Sequence, residues 1–270
     1  MPSLRPPEWR TALVTGASSG IGRSFSTALA GRGLDLVVVA RRRDRLEELA
    51  AELSGPGGGG AAVEVLVADL ATEEGRVAVE QRLTDPGRPV DILVNAAGFG
   101  SAGRFVDLDP AGEQGQVEVN VTALLRLTRA ALAPMVGRDR GAVLNISSLA
   151  GHQGIPGWAT YSATKAFVTT FSRSVAAELQ GTGVHVMVVM PGFTRTEFHT
   201  NDEITPELVP GPAWMMPDQV AALALRDLER GRSESTPGAR FKALAAASWM
   251  SPWPLTRAVL RRATRRAWSP

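Results

Sequence analysis

The chain contains no cysteine, which excludes disulfides, thiolate metal sites and a cysteine nucleophile. Its three histidines, His152, His185 and His199, are scattered, so no metal site is expected. There is no run of about 20 apolar residues to span a bilayer, and the first residues lack the apolar core of a secretory signal. A soluble cytoplasmic protein is therefore the expectation. Tyrosine occurs once, as Tyr161, and only two of the 29 basic residues are lysines, Lys165 and Lys242. Acidic residues stop at Glu234, after which come seven basic ones, so residues 1–234 carry −5 of an overall +2. The body thus has no basic stripe of the kind that binds nucleic acid.

What is present reads as alternating strands and helices. Short apolar runs at 11–15, 34–39, 63–67, 90–94, 142–146 and 184–189 read as buried strands. Helical spacing fits 20–32, 43–53, 72–84, 112–133, 158–180 and 217–232. Near-continuous apolar strands alternating with helices imply an α/β fold, a doubly wound Rossmann-type parallel sheet with helices on both faces. The expected organisation is a loose leader at 1–9, one dinucleotide-binding catalytic domain at 10–235 with a substrate lid at about 193–217, and a basic extension at 236–270.

The first strand runs into Thr15-Gly16-Ala-Ser18-Ser19-Gly20-Ile21-Gly22 and then a helix. Glycines there let backbone approach a pyrophosphate, whose charge suits a helix N-terminus. The second strand ends without a carboxylate and continues Arg41-Arg42-Arg43. An acid would bond a ribose diol, whereas an arginine binds a 2′-phosphate, so NADP(H) is expected, with Arg41 the first choice of ligand and Arg42 beside it. Cations at a helix start oppose the macrodipole unless an anion is bound.

Tyr161 and Lys165 lie one helical turn apart, on one face. A phenol normally titrates near ~10, and a neighbouring ammonium makes it a usable acid at neutral pH.

These motifs, with Asn95-Ala96-Ala97-Gly98, Asn120, Ser148 and Pro191-Gly192, occur in an order that resembles the short-chain dehydrogenase/reductase family over residues 10 to about 235. One departure is Ala96, where the family more often has a second Asn. The resemblance implies that Tyr161 protonates the substrate oxygen, Lys165 tunes the phenol and bonds the nicotinamide ribose, Ser148 holds the substrate oxygen, and Asn120 holds a relay water. Ser147 competes with Ser148, and the family's Ser-to-Tyr spacing favours Ser148. The resemblance also implies that Asp69 and Leu70 border the adenine, that Asn95 to Gly98 line the cofactor and steady the sheet, and that Thr194 and Thr196 approach the carboxamide. Family members often pair subunits through the two long helices, so a homo-oligomer is expected.

Phe193, Phe198, Trp214 and Met215 in the lid favour an apolar substrate, or else pack on the body; His152 is a further substrate candidate. In the tail, Leu255, Val259 and Ala263 share one helical face and Arg257, Arg261 and Arg265 another, behind Trp249 and Trp253. That pattern suits a membrane surface, the body or another subunit. More loosely, the chain resembles bacterial reductases of long-chain 3-oxo lipids, mycolate-type precursors among them. The expected activity is NADP(H)-dependent interconversion of a ketone and a secondary alcohol, the ketone being bulky and apolar or a 3-oxoacyl lipid. The alternatives are a soluble polyketide- or steroid-like ketone, or an NADP-sensing protein without turnover.

Overall fold

The computed structural model describes residues 9–55, 59–197 and 214–242. The elements, in order, are β1 (Thr11–Thr15), α1 (Gly20–Ala30), β2 (Asp35–Ala40), α2 (Arg43–Ser54), β3 (Val63–Val67), α3 (Glu73–Thr84) and β4 (Ile92–Asn95). Then follow α4 (Pro110–Val117), a π turn over Glu118–Ala123, α5 (Leu124–Gly137), β5 (Gly141–Ile146), a 3-10 turn over Leu149–His152, α6 (Ala159–Glu178), β6 (Val184–Val189), α7 (Pro217–Glu229) and β7 (Glu234–Ser235).

The strands form one sheet in the order β3-β2-β1-β4-β5-β6-β7, and every pairing is parallel. Residues within a strand alternate between two cores. Leu13, Val37 and Val39 pack with Val79, Leu127 and Met135 on the α3–α5 side. Val14, Leu36 and Val38 pack with Phe25, Leu46 and Val220 on the α1–α2–α7 side. Both faces are covered, as the unbroken apolar runs require. From β1 the chain winds outward to β3, then returns to place β4 on the other side of β1. A crevice therefore opens at the strand C-terminal ends between β1 and β4, the place where this fold class takes a ligand.

The expected α/β doubly wound fold is thus the observed one, with two differences. The helix expected over 112–133 begins at Pro110, where Asp109 caps Ala111 and Gly112, and runs to Gly137 through the π turn. A single wide turn inserts one residue without breaking the apolar period, so it is invisible as periodicity. β7 is two residues long and carries no alternation of its own. The expected tail helix lies outside the described residues. Among the described residues no helix is long and apolar enough to cross a membrane.

Candidate active site

The crevice is walled by the β1 and β4 ends, which one side chain ties together. Thr15 Oγ1 donates to the Val94 carbonyl (3.3 Å) and accepts from the Ala96 and Ala97 amides (3.1 Å each). Gly16 takes φ +67°, and a Cβ there would lie 2.9 Å from Ala97 backbone. A Cβ on Gly22 would lie 2.3 Å from the Gly16 carbonyl oxygen. Helix α1 therefore starts hard against the turn. Ser19 at its N-cap makes no side-chain cap bond, and its first turn holds no acid. The orphan amides of that turn are left for an anion, which is what a pyrophosphate needs. The residues fit a dinucleotide.

At the β2 end it is Arg42, not Arg41, that turns to the glycine loop. Its Nη2 donates to Ser18 Oγ (3.1 Å) and its Nη1 to Glu197 Oε2 (3.1 Å), while Arg45 bonds the other Glu197 oxygen. Arg41 is exposed. Arg45 and Glu197 were not singled out from sequence; Arg45 stands one turn along α2 from Arg42, a spacing that could have flagged it.

Asp69 Oδ1 accepts from the Ala71 amide (3.0 Å) in a local turn, and Leu70 is buried in the α3-side core. Asn95 Nδ2 donates to Thr128 Oγ1 (3.1 Å) and Asn145 Oδ1 (2.9 Å), joining β4 to β5 and α5. Beyond β6, the Pro191 carbonyl accepts from the Leu149 amide (3.1 Å). Gly192 sits under Phe241, whose ring would be 2.2 Å from a Cβ there. Thr194 is buried and donates to the Gly192 carbonyl (3.0 Å). Thr196 lies across the glycine loop, its Cγ2 3.0 Å from the Cβ position of Gly20.

The reactive end is assembled from four elements. Tyr161, in the first turn of α6, is partly exposed, with Trp158 edge-on at 5.5 Å between ring centroids. One turn on, Lys165 is buried and its Nζ donates to the Ile146 carbonyl at the end of β5 (2.9 Å). Burial alone lowers its pKa from 10.5 to about 8. Ser147 and Ser148 face opposite ways. Ser147 is buried, bonding the Lys165 carbonyl and Thr169 Oγ1 (2.7 Å each), whereas Ser148 is partly exposed and caps the 3-10 turn through the Ala150 amide (3.1 Å). Of the two hydroxyls, Ser147 is committed to α6.

Asn120 is in the π turn and buried. Its Oδ1 accepts from the Phe99 amide (3.1 Å), and its Nδ2 donates to the Phe99 carbonyl (2.9 Å) and to Thr164 Oγ1 (3.1 Å). Both amide hydrogens are therefore spent on protein, and the side chain acts as a brace. Gly98 marks the point of convergence: a Cβ there would be 3.0 Å from Asn120 Oδ1 and 3.4 Å from Lys165 Nζ. Gly151 was missed from sequence, since nothing local signals it. A Cβ on it would strike the Lys165 carbonyl carbon at 2.6 Å.

The substrate candidates divide. Phe193 is exposed and packs against Trp214 (5.6 Å between centroids), with the Arg195 guanidinium 5.8 Å from the Trp214 ring. Met215 belongs to the core, 5% exposed, so of the two readings open to it packing is the one that holds. Phe198 lies outside the described residues. His152 turns its Nε2 to Met190 Sδ (3.2 Å), and burial, then the Arg173 charge, lowers its pKa. It is anchored on the β6–β7 side of the body. His185 lies in β6 and is likewise lowered by burial, in keeping with a structural role.

A dinucleotide crevice beside a Tyr–Lys pair and a partly exposed Ser defines a hydride-transferring oxidoreductase. The family model described as short chain dehydrogenase matches residues 10–206, and the chain belongs to that family. It is accordingly an oxidoreductase of CH–OH and C=O groups. Among solved structures it is similar to a short-chain dehydrogenase from Sphingobium yanoikuyae in complex with NADPH. That match is 39% identical, with a TM-score of 0.80, over 89% of this chain and 94% of that one. It is also similar to a bulky-bulky ketone specific alcohol dehydrogenase from Comamonas testosteroni, at 33% identity and a TM-score of 0.77 over 90% and 93% of the two chains. Among curated relatives, a 3-oxoacyl-[acyl-carrier-protein] reductase of Synechocystis sp. is 35% identical over 78% of this chain and 86% of its own length.

Proposed function

We propose that this chain is an NADP(H)-dependent reductase of a bulky apolar ketone, with a 3-oxoacyl chain the leading candidate. The observation that carries the cofactor choice is Arg42 bonded to Ser18 of the glycine loop with no carboxylate at the end of β2. The NADPH named for the Sphingobium relative supports it. Exposed Phe193, packed against half-buried Trp214, supports an apolar substrate, as do the ketone and 3-oxoacyl substrates named for the other two relatives.

When bound, the reduced nicotinamide supplies a hydride to the carbonyl carbon. The chain does the rest. Ser148 Oγ donates to the substrate oxygen and fixes its angle. Tyr161 gives its hydroxyl proton to that oxygen as negative charge develops there. The Lys165 ammonium, held between the Ile146 carbonyl and Gly98, stabilises the phenolate left behind. The phenolate is then reprotonated from solvent. Oxidation of the alcohol is the reverse sequence.

Purified protein mixed with NADPH and a panel of ketones tests this. Oxidation of NADPH with a 3-oxoacyl thioester or a ketone bulky on both sides supports the reading. Turnover confined to small polar ketones overturns the substrate class, and NADPH binding without turnover on any ketone points to a sensor. Two finer expectations belong to the same reading. Exposed Val117, Leu125 and Val136 on the α4–α5 helix suit pairing with a second copy, which sedimentation measures. The basic segment at 255–266, outside the described residues, suits an acidic membrane surface; unchanged liposome flotation after deletion of 251–270 would remove that idea.

A further inference from the structure

We propose that Glu197 is a built-in competitor for the cofactor's 2′-phosphate, seated where that phosphate must go; this rests on the NADP(H) reading above. The Glu197 carboxylate spans two guanidiniums, one oxygen on Arg42 Nη1 (3.1 Å) and the other on Arg45 Nη1. The same Arg42 donates through Nη2 to Ser18 of the glycine loop (3.1 Å). The pair of arginines and the serine hydroxyl thus form one donor cluster beside the dinucleotide crevice, and an acid fills it. A phosphate monoester offers the same oxygen geometry with nearly twice the charge.

Glu197 is delivered to this seat by a fixed strap. The Arg195 amide donates to the Met215 carbonyl and the Met215 amide to the Phe193 carbonyl (2.9 Å each), and Met215 is core. Thr196 then crosses Gly20 so closely that a Cβ there would lie 3.0 Å from Thr196 Cγ2. The strap therefore touches both phosphate sites at once. Arg42 and Arg45 stand at the start of α2, where the macrodipole disfavours cations without an anion. In the free protein the carboxylate answers that demand. A 2′-phosphate brought to the same guanidiniums meets a like charge, so Glu197 must leave before it is held. A dinucleotide lacking that phosphate leaves the carboxylate in place. Glu197 thus weakens NADP(H) binding selectively, narrowing the preference that Arg42 creates.

The test uses the full chain and two probes without nicotinamide, 2′,5′-ADP and 5′-AMP, titrated by calorimetry. Glu197→Gln keeps the side chain's size and should bind 2′,5′-ADP roughly 1.5- to fivefold tighter, the range an exposed carboxylate–arginine contact commands, with 5′-AMP unchanged. Glu197→Ala should do the same. Unchanged or weaker 2′,5′-ADP binding in a variant with wild-type melting overturns the proposal. So does a loss of 5′-AMP affinity, which would make Glu197 a ribose ligand. If the wild type does not prefer 2′,5′-ADP over 5′-AMP, the NADP(H) reading itself fails; if it does and Glu197→Gln changes nothing, only the competitor fails.

Discussion

Lys165 Nζ lies 5.7 Å from the centroid of the Tyr161 ring, with its hydrogen bond directed to the Ile146 carbonyl. At that separation the ammonium acts on the phenol through space rather than by taking its proton, and low-dielectric surroundings strengthen the effect. Lys165 is thus arranged as an electrostatic partner and Tyr161 as the group that moves the proton.

Tyr161→Phe removes that proton and leaves the ring against Trp158 intact. The turnover rate should fall by ~10²–10⁴-fold, the span of a lost general acid, while NADPH affinity stays within about twofold. Stopped-flow reduction and fluorescence titration measure the two. Activity within tenfold of wild type would take Tyr161 out of the acid role.

Burial of Lys165 has a pH signature. Its pKa is ordinarily 10.5 and falls to about 8 in the folded protein, with desolvation the cause. Between those values the unfolded chain keeps the proton and the folded chain has released it, so folding gains stability as pH rises through the window. A displacement of this size corresponds to ~3 kcal/mol as an upper figure. Lys165→Met abolishes the titration. The stability difference between variant and wild type, from urea unfolding, should therefore shift in favour of the wild type between pH 8 and 10.5, by up to ~3 kcal/mol. A difference that stays flat across this window means the folded lysine is not desolvated.

The fold was legible because each buried strand is an apolar run cut off by glycine or a polar turn, and β1 to β6 all carry that signal. The glycine loop and the Tyr161–Lys165 pair were legible for another reason: their spacing is local, so one turn or one strand–helix junction already fixes the geometry. What escaped was settled by contacts distant in sequence. Which of Arg41 and Arg42 faces Ser18 depends on how β2 leaves the sheet relative to β1. Met215 could be read as pocket or core until its pairing with Phe193 and Arg195 placed it in the core. Asn120 is expected from sequence to hold a water, whereas its side-chain amide is spent on Phe99 and Thr164. A π turn and a long-range amide brace leave no periodic trace.

Gly151 shows how close approach alone fixes a residue. The 3-10 turn lies so near α6 that a methyl group at 151 would overlap the Lys165 carbonyl carbon and the Ala166 amide nitrogen, at 2.6 and 2.8 Å. Backbone on both sides cannot yield as a side-chain tip could. Gly151→Ala should cost ~1–3 kcal/mol of stability, as overpacking does, and should lower turnover by displacing Lys165 from the Ile146 carbonyl. Thermal melting and steady-state kinetics read both. A variant with wild-type melting and turnover would show that the turn moves freely against α6.

Arg41 and Arg42 make opposite predictions although they are neighbours. Arg42 reaches Ser18 and Glu197, whereas Arg41 is exposed to solvent. A phosphate held at the glycine loop takes a charge-assisted bond from Arg42, and such a bond is worth ~1.5–3 kcal/mol, or about 10- to 100-fold in affinity. Arg42→Ala should therefore weaken NADPH by that factor and NADH by little. Arg41→Ala should change NADPH affinity by less than about threefold, through the general field at the start of α2. Fluorescence titration of both variants with both cofactors decides between them. If Arg41→Ala costs more, the exposed Arg41 guanidinium turns to the phosphate on binding, and the assignment of that role to Arg42 falls.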